Sequence, residues 1–243
     1  MLSRAIENDV YLVYQPIFDT HGRVAKHEAL LRLNPQAGVN LSTQALIDRI
    51  EQDAEDIAYL DRMVLSRVEV LLKSTNFKNT GRIAVNASPA TLATSEVFIQ
   101  DLIALCQRFP DRIELEMLES RIQPQHEQLV HLSLLRLEHA NVQLSLDDFG
   151  AGFACIRKLV THGFDNIKLD GQLTRVHVCD KSARAVRSIV DMAESLGITV
   201  TAERIESKRQ HHQLMDLGCH YFQGYYLSKP VLLECGRTPN SVD

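Results

Sequence analysis

From Arg82 to Gln223 the chain alternates short apolar runs with longer amphipathic ones, and this alternation restricts its fold more than any other feature. Arg82–Asn86 reads as a strand leading to a helix over Glu96–Arg108, and strand Arg112–Met117 leads to helix Gln125–His139. Strand Val142–Leu146 leads to a helix near Cys155–Leu159, and strand Asn166–Leu169 to a helix over Ser182–Leu196. Strand Ile198–Ala202 leads to helix Lys208–Leu217, and His220–Gln223 is the last strand. Parallel strands need crossovers of a dozen or more residues, which helix-length segments supply. Two earlier strands, Tyr11–Phe18 and Val24–Leu33, are joined only by the turn Asp19-Thr20-His21-Gly22. So short a link makes them antiparallel.

Helices Ser42–Gln52 and Asp56–Lys73 follow the hairpin, the second carrying Ile57, Leu60, Val64, Val68 and Leu71 at helical spacing. Eight strands, six of them separated by helices, predict an α/β protein: a modified TIM (β/α)8 barrel with an antiparallel first strand. At 243 residues the chain suits one such barrel, with a core over about residues 10–230. There is no repeat, low-complexity tract or dividing linker, so a single domain over 1–243 is expected, with an irregular tail from Leu232.

Composition removes several function classes. No run approaches the roughly 18 apolar residues of a membrane helix, and Met1-Leu2-Ser3-Arg4 leads into mixed polar sequence unlike a signal peptide. A cytoplasmic protein without direct membrane insertion is expected. The cysteines (Cys106, Cys155, Cys179, Cys219, Cys235) are odd in number, scattered, and contain no Cys-x-x-Cys pair, which argues against a disulfide frame or a zinc site. A net charge of −5 speaks against duplex nucleic acid as a partner, though not against a small anion held by metal ions and a few placed Arg or Lys.

Polar residues fall at informative points on this strand map. Asp147-Asp148 follows the run Val142–Leu146 just before Gly150 and Gly152. Such a pair can cap a helix or open a turn; it can also hold divalent ions, which relieve the repulsion between adjacent carboxylates. Glu28 lies within the second strand, and Asn86 and Glu116 end the third and fourth. Lys168 lies within the sixth, Glu203 ends the seventh and Gln223 the last. Carboxyl ends of barrel strands share one mouth, where barrel active sites are built. Five carboxylates, an amide and a lysine converging there are costly without cations. The oxygen-only set Glu28, Asn86, Glu116 and Asp147 suits Mg²⁺ or Mn²⁺ rather than zinc. Histidines offer a weaker site: His211 and His212 are adjacent on a helix, and His27 alternates away from Glu28.

The motifs Tyr14-Gln15-Pro16-Ile17, Glu28-Ala29-Leu30-Leu31-Arg32, Val85-Asn86-Ala87-Ser88-Pro89 and Glu116-Met117-Leu118-Glu119 are followed by Asp147-Asp148-Phe149-Gly150-Ala151-Gly152-Phe153. Ile167-Lys168-Leu169-Asp170, Ala202-Glu203 and Gln223-Gly224-Tyr225 complete the series. In this order the chain resembles the EAL domains, cyclic-di-GMP phosphodiesterases of bacteria, from about Val10 to Pro230. The resemblance implies a two-metal hydrolase that opens the cyclic dinucleotide to linear pGpG. Glu28, Asn86, Glu116 and Asp147 would hold one ion, Asp147 and Asp148 the second, and Glu203 would complete the site directly or through water. Lys168 would orient or help deprotonate the attacking water, and Glu119 would steady the loop after the aspartates. Arg32 would grip a phosphate; Gln15, Leu30, Asp148, Glu206 and Gln223 would meet the nucleotide. Homodimerisation and an upstream sensor or regulatory domain are further implications. Three positions depart from the family pattern: Leu118 for Thr, Arg204 for Gly, and Ala154-Cys155 for two serines. The competing functions are a non-catalytic cyclic-di-GMP receptor acting through a protein partner, and a protein-interaction scaffold.

Overall fold

The barrel is built from strands whose alternate residues face opposite environments, as the computed structural model makes plain for residues 2–35, 41–74, 81–118, 124–151, 156–175 and 180–233. Strands β1 (Val10–Asp19), β2 (Val24–Leu33), β3 (Arg82–Ala87), β4 (Ile113–Leu118), β5 (Gln143–Phe149), β6 (Asn166–Leu169), β7 (Thr199–Ala202) and β8 (Tyr221–Phe222) close in sequence order. β1 runs antiparallel to both β2 and β8, whereas every other neighbouring pair is parallel. The reversal follows from the β1–β2 turn. Asp19 Oδ1 accepts the amides of His21 and Arg23, and Gly22 takes the positive φ that the tight connection requires.

Helices cover the outside: α1 (Leu2–Ala5), α2 (Thr43–Ile50), α3 (Ala54–Lys73), α4 (Pro89–Thr94), α5 (Glu96–Arg108), α6 (Glu127–His139), α7 (Ile156–Thr161), α8 (Gly171–Thr174), α9 (Asp180–Ser195) and α10 (Lys208–Asp216). Side-chain caps set several starts: Ser42 begins α2, Asp53 begins α3, and Ser88 followed by Pro89 begins α4. All five residues that define the apolar stripe of α3 are buried. Against the helices lie Ala29, Ile83, Val85, Leu115, Leu144, Leu146, Ile167 and Val200, all buried. Each fully buried aliphatic side chain of this kind contributes about 1.5–3 kcal/mol of transfer free energy.

The opposite set of strand residues fills the barrel interior and is mainly polar: Lys26, Glu28, Glu114, Glu116, Ser145, Asn166, Lys168 and Thr201, all buried. Along β4 to β7 the period of two therefore separates an apolar outer layer from a hydrogen-bonded interior, while β1 and β3 add the buried apolar residues Val13, Ile17 and Ala84 to the inner face. Within the interior, Asn166 donates to Ser145 Oγ at 2.7 Å and accepts from Thr199 and Thr201 at 3.0 and 2.9 Å.

Observed bounds extend or trim the expected elements by a few residues. β5 runs on to include Asp147 and Asp148, β8 is only two residues long, and α4 and α8 are short helices that apolar periodicity does not announce. The irregular tail lies outside the described residues from 234 onward.

Candidate active site

At the carboxyl end of the barrel the polar interior becomes a charge cluster centred on Lys168. Its Nζ lies 2.7 Å from Glu203 Oε1, 2.8 Å from Glu116 Oε2, and 3.4 Å from both Glu28 Oε2 and Asp147 Oδ1. Four strands supply Lys168 and its carboxylates Glu28, Glu116 and Asp147, while Glu203 follows β7 directly. Glu28 is braced from both sides, accepting from Asn86 Nδ2 at 3.0 Å and from Gln223 Nε2 at 2.7 Å. The backbone of Glu203 is held by Thr174, whose hydroxyl donates to its carbonyl at 2.6 Å.

How two consecutive residues both reach the mouth needs explanation, because neighbours on a strand point to opposite faces. The β5–β6 register supplies it: Leu146 pairs with Ile167, but Phe149 pairs with Leu169. One extra residue therefore bulges from β5 at Asp147-Asp148, and Asp148 adopts φ +54°, a conformation Asp tolerates better than most residues. Carboxylate oxygens of Asp147, Asp148 and Glu203 consequently gather within 4.8 Å of one another.

The cluster is electrostatically unbalanced. Burial raises Glu116 well above the usual carboxylate range, with Glu28, Asp147 and Glu114 adding to the effect against Lys168. Burial also raises Asp147, and pushes Glu203 up to about 8. Glu28 is the exception: burial opposes its ionisation, but Lys168, Gln223 and Asn86 outweigh it and hold the group below its ordinary value. Burial likewise opposes the Lys168 ammonium, yet Asp147, Glu116, Glu203 and Glu28 keep it charged far above the usual lysine range. Two oxygens, Glu116 Oε1 and Gln223 Oε1, are buried without a hydrogen-bond partner. Unmet acceptors among crowded carboxylates are the environment that a hard divalent ion satisfies.

Above the cluster opens a cavity of about 990 Å³, lined by Gln15, Leu30, Arg32, Asp148, Glu206 and Gln223 among others. Gln15 is register partner of Glu28 and donates to the Ser228 carbonyl at 3.1 Å. Arg32 is anchored through Nη1 to the Leu31 carbonyl at 2.8 Å. Glu206 is an exposed rim residue whose amide donates to Gln210 Oε1, away from the Lys168 cluster. Arg204 also lines the mouth and adopts φ +53°. Glu119, Ala154 and Cys155, together with the side chain of Leu118, lie outside the described residues. His27 is buried on the alternate face of β2, and His211 stacks edge-on against Phe222 at 4.7 Å, so neither joins the cluster.

Asp61 was not singled out by the strand map. It is buried on α3, lines the mouth cavity and accepts the Ser88 amide at 3.0 Å, fixing the chain two residues beyond Asn86. Burial pushes its carboxyl up to about 7. The signal available in the sequence was an acid four residues after Ile57, on the apolar stripe of a helix.

Comparison with known proteins agrees with this geometry. A family model described as EAL domain matches residues 1–230. The chain is 30% identical over 243 residues to the cyclic di-GMP phosphodiesterase PdeR of Escherichia coli, covering 95% of this chain and 35% of that protein. It spans about a third of the length of the curated relatives it matches. Among solved structures, Klebsiella pneumoniae BlrP1 in complex with manganese and cyclic-di-GMP is 29% identical with a TM-score of 0.73, over 92% of this chain and 56% of that one. The PaMucR phosphodiesterase in complex with c-di-GMP is 25% identical with a TM-score of 0.79, over 92% of this chain and 97% of the other. Among the described residues no helix is long and apolar enough to cross a membrane.

Proposed function

The chain belongs to the EAL domain family of cyclic-di-GMP phosphodiesterases, and we propose from that premise that it hydrolyses cyclic-di-GMP to linear 5′-pGpG at the mouth above Lys168. One observation carries the reading: a buried lysine surrounded by four carboxylates, with an unmet oxygen on Glu116, in a donor set made only of oxygens. That set fits two Mg²⁺ or Mn²⁺ ions. Glu28, Asn86, Glu116 and Asp147 would hold one, Asp147 and Asp148 the other, with Glu203 completing the site. When bound, such ions make water nucleophilic at neutral pH and neutralise charge building on the transferring phosphoryl oxygens.

The chain's own residues do the rest. Lys168, held as an ammonium, has three donors with which to grip Glu203 and Glu116 and to orient the attacking water. Arg32, tethered through one nitrogen, keeps the remainder of its fork for a phosphate. Gln223 spends its amide nitrogen on Glu28, which fixes its side chain in the lining of the nucleotide cavity. Gln15, Leu30 and Glu206 shape the cavity around the nucleotide. Attack in line with the 3′ oxygen opens the ring, and that oxygen leaves as the 3′ hydroxyl of the linear product.

Homodimerisation is part of the proposal. α6 and α7 expose Leu129, Leu132, Ile156 and Val160, 45–66% accessible, beside the Arg157–Glu127 ion pair that joins the two helices. The deciding experiment is incubation of the purified protein with cyclic-di-GMP and Mg²⁺ or Mn²⁺, following pGpG by chromatography. Metal-dependent product is the expected result; tight binding by calorimetry without turnover would leave a receptor in place of an enzyme.

A further inference from the structure

Between α6 and α7, on the outside of the barrel, two histidines face each other across a second cavity of about 480 Å³. His131 Nδ1 lies 3.3 Å from His162 Nε2, and the rings meet edge-on with centroids 4.8 Å apart. Two nitrogens bound to one tetrahedral ion at about 2.0–2.1 Å are separated by roughly 3.3 Å. The pair is therefore already set at the bite distance of a metal site, and is longer than the usual N–H···N separation. Glu127 lies one helical turn before His131 on the same face of α6 and lines the same cavity, where it now accepts from Arg157 at 3.2 Å.

We propose that His131 and His162 bind a borderline transition-metal ion such as Zn²⁺, with water filling the remaining positions, at a site separate from the oxygen-lined mouth. The donor chemistry separates the two sites. Imidazole nitrogens suit zinc and its neighbours, whereas the carboxylate and amide oxygens around Lys168 suit magnesium or manganese. Burial lowers the His162 pKa, and the neighbouring His131 lowers it further, so the ring is neutral and ready to ligate near pH 7. The opposing cost lies at His162 Nδ1, which is buried and has no partner to take its proton once Nε2 is on the ion. Affinity is accordingly below that of a four-ligand structural zinc site. The ion would tie α6 to α7, reinforcing the Arg157 side of the same joint, and does not depend on the catalytic reading.

The test is equilibrium dialysis of the full chain against Zn²⁺ with excess Mg²⁺ present, comparing the wild type with the double variant His131→Asn, His162→Asn. Zinc entering the mouth contributes equally to both proteins. One additional Zn²⁺ per chain in the wild type is expected, with imidazole NMR signals of His131 and His162 shifting as zinc is added. Equal stoichiometry in two proteins with similar thermal transitions overturns the proposal. Should the double variant fail to fold, His131→Asn alone decides: His131 is partly exposed on a helix, and at least a tenfold loss of zinc affinity at this site is expected. Unchanged affinity in that variant overturns the proposal equally.

Discussion

Each end of the barrel interior buries a lysine, and the two ends treat it in opposite ways. At the amino end Lys26 Nζ lies 2.5 Å from Glu114 Oε1, and Arg82 Nη1 lies 3.5 Å from Glu114 Oε2. Two cations thus serve one carboxylate. At the carboxyl end Lys168 alone faces Glu28, Glu116, Asp147 and Glu203. Among the described residues, the buried oxygens left without partners in the barrel interior belong to Glu116 and Gln223, both at the carboxyl end. A cavity of about 670 Å³ opens at the amino end too, lined by Lys26, Arg82, Arg112 and Glu114, so an opening alone does not mark a site. What distinguishes the upper mouth is charge left uncompensated by the protein. The lower end is a finished structural network; the upper end, on the proposed reading, is the one that cations complete.

The largest expected effect comes from emptying the upper end of its donors. Asp147→Asn or Glu28→Ala should lower the rate of pGpG formation by roughly a thousandfold or more, the scale of losing transition-state charge stabilisation. Folding, read by circular dichroism, should be retained. A retained rate in either variant would place the chemistry elsewhere.

The lower end should respond in the opposite currency. Lys26→Met leaves Glu114 buried with only the more distant Arg82, and breaking a buried pair in this way costs about 3–5 kcal/mol. The unfolding free energy from urea titration should fall by that amount, with a matching drop in the midpoint, while the specific activity of the folded fraction stays near wild type. Glu116→Gln at the upper end is the mirror test. It should leave metal-free stability unchanged or higher, because it removes a carboxylate that burial already disfavours, while turnover is lost.

Asp61, beneath the mouth, sharpens the comparison through pH. Its carboxyl is raised to about 7 from 3.8 by burial, so the folded state holds a proton that the unfolded chain releases. Below about pH 4 both states are protonated and the stabilising preference is fully present. It is lost as pH rises toward 7, a span of about 4 kcal/mol at most by linkage. The difference in unfolding free energy between wild type and Asp61→Asn should therefore slope over pH 4–7 and flatten above it; a flat difference throughout would mean that Asp61 does not titrate in that window.

Divalent ions should produce a smaller shift. At a concentration one hundred times the dissociation constant, Mg²⁺ or Mn²⁺ should stabilise the fold by about 2.7 kcal/mol. The rise in melting temperature should disappear with chelator and in Asp147→Asn, and should persist in Lys26→Asn if that variant folds.

The upper half of this contrast was legible in the sequence; the lower half was not. The short turn at Asp19–Gly22 forced the reversed first strand, and strand-end polarity brought Glu28, Asn86, Glu116, Asp147, Lys168 and Glu203 into one group. Both are local properties with period two or a counted loop. Features that depend on a partner were not legible. The bulge at Asp147-Asp148 exists only relative to β6, and the reach of Asp61 to Ser88 spans 27 residues between a helix and the start of the next. α4 escaped for a different reason: its six residues are too few for an apolar period, although Ser88-Pro89 carried its capping signal.

The finest test concerns Arg204, which stands where EAL domains usually have glycine. Its φ of +53° is a left-handed conformation that costs an ordinary side chain about 1–2 kcal/mol relative to glycine, partly offset by glycine's greater freedom in the unfolded chain. The structure retains it through Gln210, whose Nε2 donates to the Arg204 carbonyl at 3.2 Å and to the Thr174 carbonyl at 2.9 Å. Arg204→Gly should therefore stabilise the fold by up to about 1 kcal/mol. The same change removes a cation from the mouth, so KM for the dianionic substrate should rise a few-fold while kcat changes little. A gain in stability with unchanged KM would make Arg204 a strained residue without a part in binding. A fall in kcat would mean instead that the strain positions Glu203, and that the unbalanced upper end extends one residue further along the chain than its carboxylates.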